Sequence, residues 1–124
     1  MRCLLIFIFM LLAACAPQAE DHQGHSGPGM NHPAALADCP DTILIKTFQF
    51  EPANCKVKAG RTLTFVNLDS VPHTATALFN APVQFDTGEL TENASASIRF
   101  DSAASIPYHC EIHPSMTGRI LVEP

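Results

Sequence analysis

The chain has 124 residues, five of them cysteine, with 47% hydrophobic and 15% charged side chains. That length suits one domain with a tail, and this balance is neither that of a disordered chain nor that of a highly charged helix. A net charge of −5 argues against a nucleic-acid partner, because phosphate binding needs a basic face. Ten prolines and no tryptophan favour a turn-rich β fold over a helical bundle.

At the start, Met1 and Arg2 form a short positive end, followed by an apolar run from Leu4 to Leu12. The run is too short for a permanent span, which needs about 20 residues, but suits the core of a secretory signal. Leu12-Ala13-Ala14-Cys15 then resembles a bacterial lipobox. The resemblance implies cleavage after residue 14 and a diacylglyceryl group on Cys15, with an amino-terminal acyl chain completing a firm membrane anchor. An ordinary signal with an incidental cysteine is the alternative. Removing residues 1–14 takes Arg2 away and the net charge from −5 to −6. Export also places the remaining cysteines in an oxidising compartment.

Residues 15–38 carry the lipidated cysteine and then a stretch rich in Ala, Pro, Gly, Gln and Asp, without periodicity. Such a stretch cannot bury enough apolar surface to fold and reads as a flexible tether. It contains His22, His25, Met30 and His32. Imidazole and thioether suit copper, so these side chains are either loose auxiliary metal ligands or passengers on a solvated spacer.

From Cys39 to Pro124 the pattern is one of strands and turns. Thr42–Phe50 reads as one β-branched and aromatic strand ending at Glu51-Pro52. Further strands are expected at 55–58, 62–67, 74–79, 96–100, 108–110 and 118–122. Seven or so short strands without a helical pattern predict an all-β sandwich. Cys39 and Cys55 flank the first unit, and export makes a disulfide between them the expected state; two free buried thiols are the alternative.

The chemistry lies near the C-terminus. Tyr108-His109-Cys110-Glu111-Ile112-His113-Pro114-Ser115-Met116 places a thiol, an imidazole and a thioether three residues apart. On a tight loop these donors can converge on one ion. A fourth donor is available in Val71-Pro72-His73-Thr74. His73, Cys110 and His113 form a His₂Cys plane and Met116 a weak axial sulfur, the ligand set of a blue-copper electron-transfer site. Zinc is the competitor, but structural zinc sites do not use a thioether.

Residues 48–124 resemble the small cupredoxins, most closely the amicyanin, pseudoazurin and plastocyanin branch. The likeness rests on Phe50-Glu51-Pro52, Asn67, Pro72-His73, Phe85-Asp86-Thr87-Gly88, and Cys110-x-x-His113-Pro114-x-Met116-x-Gly118. It implies an eight-stranded Greek-key sandwich with one copper ion at one end, held by His73, Cys110, His113 and Met116. Thr74 and Pro114 would stand directly behind these ligands, and His109 would not be one. Many family members have asparagine after the first histidine, where this chain has Thr74. Thr74→Asn is therefore expected to shift the reduction potential without loss of copper.

The resemblance also implies that His113 reaches the surface inside an apolar patch, for which Val71, Ala81, Pro82, Pro114 and Met116 are candidates. Four protein donors leave no position for activating water. Glu111 and the absence of any His-x-His pair exclude the ligands of a trinuclear oxidase cluster. The expected function is single-electron transfer at the periplasmic side of a bacterial membrane or at the cell surface, without catalysis. A basic redox partner would suit the acidic charge: a c-type cytochrome, or a copper or haem reductase. Copper storage or delivery, using the domain together with the His/Met tail, is the alternative.

Overall fold

A computed structural model describes residues 35–124. The expected signal peptide, the lipidated Cys15 and the tail residues His22, His25, Met30 and His32 lie outside the described residues. The described part holds eight strands: β1 (Thr42–Lys46), β2 (Gln49–Glu51), β3 (Asn54–Lys58), β4 (Arg61–Asn67), β5 (Thr76–Ala77), β6 (Ser95–Phe100), β7 (Ala104–His109) and β8 (Thr117–Glu123). They form two four-stranded sheets, ordered β2-β1-β4-β6 and β3-β8-β7-β5. Two pairings are parallel, β1 with β4 and β3 with β8, and the remainder are antiparallel.

Alternation explains the layers. In β1, Ile43 and Ile45 are buried while Thr42 is exposed; in β4, Leu63, Phe65 and Asn67 point inward. A period of two puts one face of each strand on the core. Between the sheets, the Tyr108 ring packs against Phe50, Phe65 and Phe85, with centroids 4.7, 5.9 and 5.8 Å away. Buried aromatic side chains of this size contribute about 2–3 kcal/mol each. The Tyr108 hydroxyl donates to the Ala53 carbonyl at 3.1 Å, so its polar end is satisfied. Burial pushes the phenol pKa well above its ordinary value. Opposite Tyr108 stands Gly118, where a Cβ would collide with the Tyr108 ring and the Ala53 carbonyl. The ring occupies the space that any side chain there would need.

Cys39 and Cys55 form a disulfide, as expected. Pairing along β3 begins slightly before Cys39: the Lys56 amide donates to Ala37 and the Cys39 amide to Lys56.

Three strands differ from expectation, among them β7, which spans Ala104–His109 rather than 108–110. The predicted single strand over residues 42–50 breaks at Thr47–Phe48, which have φ of 53° and 58° and join β1 to β2 as a two-residue hairpin loop. Such loops need left-handed backbone, which Asn and Gly adopt readily and a β-branched Thr does not. The expected strand over 74–79 shrinks to Thr76–Ala77, with one further bond to β7 from the Leu78 amide to the Pro107 carbonyl. Among the described residues, no helix is long and apolar enough to cross a membrane.

Candidate metal centre

At one end of the sandwich, two loops and a strand terminus bring together side chains far apart in sequence. His73 follows β4 across the turn 68–72; Cys110 comes directly after the end of β7; His113 and Met116 lie on the loop leading into β8. The Nδ1 atoms of His73 and His113 are 3.1 Å apart, and they lie 3.7 and 3.9 Å from Cys110 Sγ. His73 and Cys110 are fully buried, His113 is partly buried, and Met116 is buried at the foot of the same loop. Cys110 is the one free cysteine among the described residues.

The loop is held by its own backbone. Cys110 N–H donates to Met116 O at 3.0 Å, and Met116 N–H donates to His113 O at 2.9 Å. This fold-back turns the three-residue spacing of Cys110, His113 and Met116 into a convergent set. The Thr74 amide donates to Cys110 Sγ at 3.3 Å, a bond that favours the electron-rich thiolate.

The orientation of His73 is settled by Asp69. Its Oδ2 accepts from His73 Nε2 at 2.8 Å. A carboxylate only accepts, so the ring proton sits on Nε2 and the Nδ1 lone pair faces His113 and Cys110. Asp69 also accepts from the Thr47 and Phe48 amides at 2.7 and 2.9 Å. Burial acts to raise its carboxyl pKa, but the bonds from Phe48, Thr47 and His73 outweigh it and hold the pKa below the ordinary value. The same carboxylate thus stabilises the left-handed Thr47–Phe48 turn and orients a candidate ligand. Asp69 is itself placed by Asn67, whose fully buried side chain accepts from the Asp69 amide and donates to the Val71 and Leu90 carbonyls.

Neither Asp69 nor Phe48 is apparent as a site residue from the sequence. The turn aims Phe48 outward, half-exposed, with its ring edge-on to His73 and His113 at 5.2 and 5.1 Å. A carboxylate four residues before a candidate histidine ligand was the available signal for Asp69. For Phe48 there was none, since its position depends on the turn.

The proposed apolar patch needs correction. Met116 is 4% exposed and lies beneath the surface. Val71 is half-buried and Pro114 exposed, while Phe48 and Ile112 are the large exposed apolar side chains beside the cluster. Ala81 and Pro82 belong to the 78–84 loop, which Gln84 Nε2 ties to the Leu78 and Ala81 carbonyls. His109, on β7, is not in the donor cluster.

The donor set fits one first-row metal ion. Bonds of about 2.0 Å to nitrogen and 2.3 Å to sulfur place donors roughly 3–4 Å from one another, as the three atoms here already stand. Two imidazoles and a thiolate, with a buried thioether in the same loop, match copper better than zinc. An eight-stranded two-sheet β fold with this donor set defines a small blue-copper protein of the cupredoxin class, built for single-electron transfer.

The match to known proteins makes the assignment specific. Residues 37–123 match the family of copper binding proteins described as the plastocyanin/azurin family, and the chain belongs to it. Amicyanin from Paracoccus versutus is 34% identical over 97 residues, covering 73% of this chain and 73% of that protein. The copper(I) form of an amicyanin mutant superposes with a TM-score of 0.62 at 26% identity, over 73% of this chain and 85% of the other. A Cu-containing nitrite reductase from Thermus scotoductus SA-01 superposes with a TM-score of 0.64 at 29% identity; this chain covers 24% of that larger protein. The cofactor of this family is one type 1 copper ion.

Proposed function

We propose that His73, Cys110, His113 and Met116 hold the copper ion, and that the protein carries single electrons between redox partners without catalysing a reaction of its own. The observation that carries this is the preset, largely buried triangle of two imidazole nitrogens and a thiol sulfur, 3.1 to 3.9 Å on a side. Bound copper supplies a one-electron couple at this site. The protein's part is to keep the donors in one arrangement in both redox states. Asp69 holds the His73 ring, the Thr74 amide holds the sulfur, and the loop bonds hold His113 and Met116. Four protein donors leave no position for a substrate.

His113 is the partly exposed member of the triangle and the natural exit for the electron. Phe48, Ile112 and Pro114 give it an apolar rim suited to brief docking. An acidic partner would be repelled, so a basic one such as a c-type cytochrome, or a copper or haem reductase, fits the net charge. Residues 1–14 serve as an export signal, Cys15 carries lipid, and the stretch up to residue 36, before Ala37 and Asp38 join β3, tethers the domain at the periplasmic side of a membrane or the cell surface.

Adding one equivalent of Cu(II) to the metal-free protein should produce an intense blue absorption and a paramagnetic resonance spectrum with narrow copper hyperfine splitting. A colourless protein with an ordinary copper spectrum would refute the ligand assignment. More than one copper per chain, transferable to an acceptor, would favour storage or delivery.

A further inference from the structure

We infer that Asp86 is a remote positioning residue of the copper site, acting on Cys110 through a two-hydroxyl relay built from Thr76 and Thr74. The proposal rests on the copper reading above and extends it to two residues that hold no ion.

The relay is continuous. Glu111, the residue after Cys110, donates its amide to Thr74 Oγ1 at 2.9 Å. Thr74 Oγ1 lies 2.9 Å from Thr76 Oγ1, and Thr76 Oγ1 donates to Asp86 Oδ1 at 3.0 Å. Its direction follows from the two ends. A backbone N–H can only donate, and a carboxylate only accepts. Thr76 gives its proton to Asp86, so the Thr74 hydroxyl proton points at Thr76 and a Thr74 lone pair faces the Glu111 amide. Each bond polarises the next, an effect strongest at the two buried hydroxyls, while Asp86 itself stands at the surface. Thr74 and Thr76 are 4% and 8% exposed, so water does not compete freely for the two hydroxyls.

The far end is rigidly mounted. The Ala77 amide donates to Phe85 and the Thr87 amide to Ala75, pairing residues 85–87 with the β5 segment. Asp86 Oδ1 also accepts the Gly88 amide at 2.7 Å, and Gly88, at φ 69°, adopts a left-handed conformation suited to glycine. The near end grips the cysteine twice: the Thr74 amide reaches Cys110 Sγ directly, and the Thr74 hydroxyl holds the following peptide. Loss of the relay would free the Thr74 rotamer and loosen both contacts. A weaker N–H bond to sulfur leaves more electron density on the thiolate and lowers the reduction potential.

Three variants separate a relay from a simple charge effect. Thr76→Val keeps the shape and the Asp86 charge but breaks the chain. Asp86→Asn removes the charge but retains an oxygen acceptor. Asp86→Ala removes both. In the metal-free protein, amide hydrogen exchange at Glu111 should accelerate about tenfold in Thr76→Val and Asp86→Ala, the loss of roughly one buried hydrogen bond. It should stay near wild type in Asp86→Asn. In the copper-loaded protein the first two should lower the potential and alter the copper hyperfine splitting, with Asp86→Asn again close to wild type. Unchanged Glu111 exchange in Thr76→Val would overturn the relay. So would matching shifts in Asp86→Asn and Asp86→Ala with none in Thr76→Val, which is the signature of charge alone. A wild-type protein that takes up no blue copper would instead refute the copper reading, while the metal-free exchange still reports whether the hydroxyl chain exists.

Discussion

The space between the sheets and the end that carries the donors are built on opposite principles. Between the sheets, alternating apolar residues from paired strands meet around Tyr108, and hydrogen bonding is mostly that of the strand ladders. At the donor end almost nothing is a strand. His73, His113 and Met116 sit on loops: side-chain bonds through Asn67 and Asp69 place His73, and backbone bonds within the Cys110–Met116 loop place the other two. An apolar core tolerates small shifts, because dispersion and burial are non-directional. A metal site does not, because lone pairs must point at one spot. The contrast implies that the body sets stability while the polar end sets spectrum and potential, and that each can be altered with limited effect on the other.

The largest test of that separation is Cys110→Ser. It should abolish the blue absorption entirely, yet change the unfolding free energy of the metal-free protein by no more than about 1–1.5 kcal/mol, measured by denaturant titration. If the variant fails to fold without metal, the two regions are not separable.

Next in size is removal of the disulfide. Replacing Cys39 and Cys55 together by Ala releases a loop with a sequence separation of 16 and should lower the unfolding free energy by about 3 kcal/mol. The visible spectrum of the folded, copper-loaded variant should match wild type. A shifted spectrum would mean that the body transmits strain to the donors.

The smallest effect sharpens the picture of the core. Tyr108→Phe should cost about 1 kcal/mol at neutral pH by losing the hydroxyl bond to Ala53. Above pH 10 the two proteins should converge. The folded state holds the phenol proton more tightly than the unfolded one, so its contribution is complete below the ordinary pKa of 10.0 and is lost as pH rises beyond it. Tyr108→Phe lacks that part of the alkaline slope. Equal alkaline slopes would show that the Tyr108 phenol does not titrate with a raised pKa.

Much of this organisation is legible in the chain. The Cys110–Met116 loop carries its donor types and spacing locally, and the period-two patterns around β1, β3, β4 and β6 lie close to the observed strands. The β7 segment is longer than its pattern suggests, because Pro107 interrupts the reading while Ala104–His109 pairs along β8. The Thr47–Phe48 turn is hidden for a stronger reason. Neither residue favours left-handed backbone, and the carboxylate that accepts both amides belongs to Asp69, 22 and 21 residues away. Phe48 therefore reads as an ordinary strand residue until that long-range partner is known.

Composition and short-range pattern by themselves determined an acidic, β-rich chain, a set of soft metal donors and a cysteine pair available for a disulfide. These follow from residue type, alternation and turn chemistry, which act over a few positions. The tertiary structure alone decided that β1 and β4 run parallel, that Asp69 orients His73, that Phe48 rather than Met116 faces outward beside the histidines, and that Thr74 is backed by Thr76 and Asp86. Apart from Asp69 and His73, which are four residues apart, these arrangements join separate parts of the chain or depend on a backbone turn held from afar, and such contacts exist only once the strands have paired and packed.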